Sequence, residues 1–284
     1  PVSGVFALLA RLAPVHFQVD EQRWLENPAP RRPPPNCAPL LDIRRLRGAA
    51  DCHACGRCSG QRDAVRLIAR SSNQEILHST PNSVSPWDVR LLLFGVIGLA
   101  MGAFQWTVSP WFIALKQNLA QWLVTHDLLW PLQDNAPWWL LTHYPQLNDS
   151  FSWLDGFCIL AYLGMSALLL GGSLTLLIRL AAKMSGDAAH YWPLAITLTP
   201  LGGAGLFLGL SATTVRLLHY EGLSLEWVQP ARAALLLAAM AWSLWLGWKR
   251  LEQIPPVRRL PTTACLALAC GLVGYGWWLQ FWGW

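Results

Sequence analysis

From Trp87 onward the chain is dominated by five apolar stretches, over residues 91–115, 154–180, 192–218, 231–248 and 262–284. Most of them reach the ~20 residues that a helix needs to cross ~30 Å of hydrocarbon at ~1.5 Å per residue; the fourth is the shortest. Composition agrees with a membrane solvent. The 284 residues are 54% hydrophobic and 13% charged, against about 45–50% and about 25% for soluble domains. Eighteen tryptophans suit membrane–water interfaces, where amphipathic rings gather. The fold expected is mainly α: a polytopic membrane helix bundle of about five spans with a small N-terminal head.

Lysine and arginine fall unevenly between the spans. Arg90 and the head precede the first, Arg179 and Lys183 separate the second from the third, and Lys249, Arg250, Arg258 and Arg259 separate the fourth from the fifth. The other side sets Lys116 against Asp127, Asp134, Asp149 and Asp155, and Arg216 and Arg232 against Glu221 and Glu226. The alternation follows the positive-inside pattern. It predicts a cytoplasmic head and a periplasmic C-terminus in a bacterial inner membrane. The net charge of +5 is modest, and the nine arginines between Pro30 and Arg70 read as part of this topological signal, so no nucleic acid is expected as a partner.

Three domains follow: residues 1–14 as a membrane-proximal helix, 15–86 as the head, and 87–284 as the transmembrane part. The chain opens on Pro1-Val-Ser-Gly without an initiator methionine; residues 5–12 are too short and too little flanked by charge for a signal peptide, and the sequence reads as a fragment or a processed chain. Residues 15–19 alternate like a short strand. The run N-P-A-P-R-R-P-P-P-N over 27–36 is a linker or irregular loop, because its prolines fix φ and remove donors. Residues 64–70 read as a helix or short strand, and 71–86 as a polar connector.

The seven cysteines divide by environment. Cys158, Cys265 and Cys270 lie in apolar runs and read as small packing residues. Cys37, Cys52, Cys55 and Cys58 lie in the head, where a C-x2-C-x2-C series in an arginine-rich segment points to metal binding in a reducing compartment. A ferredoxin-type series continues with a fourth cysteine and a proline, and in two-cluster folds that fourth thiolate serves the other cluster. Here those positions are Arg62 and Asp63. If Cys37, in Asn-Cys-Ala-Pro, is the last cysteine of a first series that has lost its other thiols, one cluster has lost every ligand. The second keeps all four, Cys37, Cys52, Cys55 and Cys58. The site expected is one [4Fe–4S] cluster, and a structural zinc is the competing occupant, although its sites usually use two separated cysteine pairs.

These residues resemble the membrane-bound polyferredoxin-like proteins grouped with the NapH, NosR and CcoG types. Pro1-Val-Ser-Gly-Val-Phe looks like the tail of that family's membrane C-P-x-G-x-[FL] motif, with its cysteine lying before this chain. Cys52-His-Ala-Cys-Gly-Arg-Cys58 looks like the second ferredoxin motif, and residues 198–211 like a glycine-rich span of some members. The likeness covers the first ninety residues best and the spans only loosely. It implies a ferredoxin-like head and a role in passing electrons between a quinone-side or cytoplasmic donor and a periplasmic reductase, or in assembling a metalloenzyme. This chain departs from the family in keeping ligands for one cluster.

Within the spans, Gly202, Gly203, Gly205 and Gly209 beside Pro200 read as close helix packing. His126, His143 and His219 fall on the far side and His190 on the near side. None is central enough to favour haem, and a quinone or metal pocket near the first three is the functional alternative to solvated interfacial side chains. Residues 122–131 and 137–141 look like amphipathic segments lying in the far interface, where they would anchor a periplasmic partner. The function expected is single-electron transfer to or from a membrane or periplasmic complex, as a component rather than a stand-alone catalyst. Membrane lipid and a redox or assembly protein are the expected partners. The rival reading is a non-catalytic assembly or regulatory membrane protein whose metal site is structural or sensory.

Overall fold

A computed structural model describes residues 2–19, 41–42, 65–133 and 152–283. Five helices in it are long and apolar enough to cross a membrane: α3 (Pro86–Gln105), α5 (Trp153–Ser185), α6 (Ala188–Tyr220), α7 (Val228–Arg250) and α8 (Pro256–Gly283). Smaller elements are α1 (Val2–Leu9), α2 (Gln74–Leu77), α4 (Pro110–Thr125) and strands β1 (Val15–Val19), β2 (Leu41–Asp42) and β3 (Val65–Ala69).

Local chemistry sets the helix ends. Ser85 accepts from the Trp87 amide at 3.2 Å, with Pro86 in the first turn of α3. Ser152 and Asp155 form a reciprocal capping box on α5, satisfying two amides that a helix start leaves unpaired. Gly186 closes α5 at φ 97°, a left-handed geometry that glycine adopts without steric cost. The first span stops at Gln105 rather than running on to residue 115. Ser109 is extended and Pro110 starts a new helix, because a proline ring cannot continue the preceding one. The fourth span, the shortest by sequence, is a full 23-residue helix.

The bundle is organised around α6. Ile196, Leu198 and Leu201 are fully buried, and its glycines are where neighbours press in. A Cβ on Gly202 would stand 3.1 Å from Leu92 of α3, and one on Gly203 2.9 Å from Leu9 of α1; on Gly205 it would overlap the buried indole of Trp277 from α8, and on Gly209 the ring of Phe104. The glycine-rich stretch is thus a packing surface. By contrast α5, about 50 Å long at ~1.5 Å per residue, has only 17% of its most apolar window buried. Leu160, Leu168, Leu169 and Leu176 point outward from it, as a face bathed in lipid requires. Between Leu91 and Leu99, α3 widens to i→i+5 hydrogen bonding, and the Gly98 carbonyl also accepts from Ser166 Oγ at 2.8 Å.

The spans alternate in direction, so the bundle has two distinct ends. One gathers α1, the strands, α2 and the α7–α8 connection. The other gathers α4, the start of α5 and the α6–α7 connection. At that second end Phe112 and Leu123 of α4 pack on Leu154 and Cys158 of α5, and Lys116 pairs with Asp155. The strands form a three-stranded sheet in the order β2-β1-β3. β1 pairs antiparallel with β3, Val15 opposite Ala69 and Val19 opposite Val65, and parallel with β2, Val15 opposite Leu41.

Candidate functional site at the joint of head and bundle

The chain leaves the bundle at Pro14 and returns at Arg70, and these two points are bonded. The Arg70 amide donates to the Pro14 carbonyl at 2.7 Å, extending the β1–β3 ladder by one rung. Its side chain then turns back to the membrane side. Nε donates to the Ala13 carbonyl and Nη2 to the Ala10 carbonyl, both at 2.8 Å. Ala10–Leu12 is a single tight turn ending α1, and helix ends leave carbonyls in need of donors.

A buried charge network surrounds this crossing. Arg70 Nη1 meets Glu75 Oε2 at 2.9 Å, Arg11 Nη1 meets Glu75 Oε1 at 3.1 Å, and Arg11 Nη2 meets Asp88 Oδ2 at 2.6 Å. The two arginine side chains are 5% and 4% exposed. Among the described residues, two guanidinium groups here face two carboxylates, and opposite charges in contact make burial tolerable. The network links α1, the root of the sheet, α2 and the first turn of α3.

The connector after β3 is pinned from the other side by α7. Trp242 Nε1 donates to Asn73 Oδ1 at 2.6 Å. Arg250, at the end of α7, donates to the carbonyls of Ile76, Leu77 and Ser79, where the end of α2 leaves carbonyls in need of donors. Beside it lies a cleft of about 430 Å³ lined by His78, Thr80, His190, Lys249, Arg250 and Glu252 over an apolar floor that includes Leu194 and Ile254. Lys249 Nζ bonds Glu252 Oε1 at 2.8 Å and holds that carboxyl below the usual glutamate range. The Ser185 hydroxyl donates to the Ala182 carbonyl at 2.7 Å and lies 2.7 Å from His190 Nδ1. It therefore accepts from a protonated Nδ1, which leaves Nε2 with the lone pair in the neutral ring.

Cys37, Cys52, Cys55 and Cys58 lie outside the described residues, as do Arg62, His53, His143 and the proline run. Among the described residues, no group of three His, Cys, Asp or Glu side chains converges as a metal site. Cys158, Cys265 and Cys270 are free and buried, and Cys265 Sγ stands 3.7 Å from Met184 Sδ, in keeping with packing roles. Of the far-side histidines, His126 bonds the Trp122 carbonyl through Nδ1 at 2.8 Å and stacks on its ring, and His219 is exposed near the end of α6. The arginine network was missed by sequence reasoning. Its available signal was an arginine, Arg11, between apolar residues immediately before Pro14. Comparisons with protein-family models, curated proteins and solved structures give no match.

Proposed function

We propose that this chain is a multi-pass inner-membrane protein carrying one [4Fe–4S] cluster on Cys37, Cys52, Cys55 and Cys58, in a ferredoxin-like cytoplasmic head, and that it passes single electrons to or from a membrane or periplasmic complex. The observation that carries the reading is the antiparallel pairing of β1 with β3 above the Arg11–Glu75–Arg70–Asp88 network. These two strands bracket the segment that bears all four cysteines, and their pairing returns both of its ends to one root. β2 begins four residues after Cys37 and lies against β1, while β3 begins seven residues after Cys58 and lies on the other side of β1. In the sequence, Cys37 and the triplet thus each stand within a few residues of a strand of one sheet, which supports a single four-thiolate site over independent sites.

A cluster held on a root bonded to the bundle keeps a fixed relation to the spans, as an electron carrier needs. Arginines near the thiolates, Arg57 and Arg62 by sequence, would raise its potential by favouring the added electron. The test uses the full chain purified without oxygen. Cys37→Ser is expected to lose the cluster's visible absorption and Cys265→Ser to keep it. Full cluster content in Cys37→Ser would overturn the ligand assignment.

A further inference from the structure

At the far end of the bundle, in the second turn of α7, Arg232 is only 8% exposed. Its Nε and Nη2 are shut off from solvent and have no hydrogen-bond partner among the described residues. Its one strong neighbour is the ring of Phe281, 4.5 Å from Cζ, and a ring face does not take up the guanidinium's in-plane N–H groups. Glu221 and Glu226 stand in the preceding connection, and neither bonds to it. Arg232 also lies near the start of a 23-residue helix, where the peptide dipoles add positive potential, and helical side chains lean toward that end. An unpaired buried guanidinium in such a field is costly, and the arrangement calls for an anion.

We propose that Arg232 and the N-terminal turn of α7 bind the phosphate of a phospholipid headgroup at the far face of the membrane. The side chains around it have the character of an interface. Trp227, Tyr220 and Leu223 are exposed just outside the helix start, and Tyr275 and Trp278 are exposed on α8, the residue types that sit at headgroup level. Arg232 stands one turn deeper, where a phosphate descending beside acyl chains meets it. Because Nε and Nη2 are sealed, the phosphate oxygens replace contacts made by the terminal turn Leu279–Gly283, which carries Phe281. The site belongs to the bundle and is independent of the iron–sulfur reading.

The test counts phospholipid retained by the purified full chain in native mass spectrometry. It then measures the melting temperature in phosphate-free monoolein–detergent micelles with added phosphatidylglycerol or inorganic phosphate. Wild type is expected to retain one more phospholipid than R232Q and to melt about 4 °C higher with phosphatidylglycerol, with no rise in inorganic phosphate. R232K, which keeps the charge and loses the planar fork, is expected to respond at roughly tenfold higher lipid. The proposal is overturned by equal lipid content in wild type and R232Q, or by an equal rise with inorganic phosphate, which would make the ligand a free anion. It is also overturned if D134N/D149N reproduces R232Q, which would place the anion on this chain. If R232Q does not fold, the wild-type titration decides alone, and no rise with phosphatidylglycerol sinks the idea.

Discussion

The two ends of the bundle bury arginine in opposite ways. At the joint, Arg11 and Arg70 share Glu75, Arg11 also holds Asp88, and Arg250 caps three carbonyls of the connector. At the far end, Arg232 lies against an aromatic ring, and its Nε and Nη2 have no oxygen partner among the described residues. In the first case the cation is answered by the chain itself, so its role is to hold the fold. In the second the answering charge comes from outside, so its role is to meet something. Whether a buried arginine is structural or receptive is read from its partners more than from its depth.

That contrast gives predictions of opposite sign. The largest effect belongs to Arg70→Met, which removes a guanidinium from Glu75 and side-chain donors from the Ala10 and Ala13 carbonyls. Loss of one partner in a buried network costs about 3–5 kcal/mol, and it is expected as faster limited proteolysis between β1 and β3 with the spans still protected. Next comes Arg250→Met. Removing a charged donor from three carbonyls is expected to cost about 1.5–3 kcal/mol, read as a lower detergent-denaturation midpoint. Gly205→Ala, which forces Trp277 out of its seat, is expected to cost about 1–3 kcal/mol by overpacking. Arg232→Met in lipid-free detergent is expected to be neutral or mildly stabilising, because it removes an unanswered charge. A loss there as large as that of Arg70→Met would break the contrast.

The smallest effect concerns the exposed Lys249–Glu252 pair. Lys249 lowers the Glu252 pKa, so the pair's contribution is present above the ordinary glutamate value and fades as pH falls through the lower folded value. Melting temperatures of wild type and Glu252→Gln should differ slightly at pH 7 and converge only on the acid side of about pH 4.5. Convergence already at pH 6 would contradict the direction of that shift.

Much of the bundle was legible in the sequence, since apolar length reports the solvent directly. The five spans, the packing role of the glycine stretch and the strand over residues 15–19 all follow from local pattern. The break between Gln105 and Pro110 was harder to see, because residues 106–115 stay apolar and only the proline marks the turn. The joint was not legible. Arg11, Arg70, Glu75, Asp88 and Arg250 are spread across more than two hundred residues, and no local periodicity says that they meet. Arg250 in particular read as topology alone, yet it supplies the donors that fix the connector. The cysteine spacing is local and suggests a chemistry, and the four cysteines themselves lie outside the described residues.

The account turns on what those four cysteines hold. Elemental iron, zinc and acid-labile sulfide analysis of the anaerobically purified full chain, with low-temperature paramagnetic resonance after reduction, tests it most directly. About four iron and four sulfide per chain with a reducible signal is the predicted result; one zinc per chain with no iron or sulfide would contradict it.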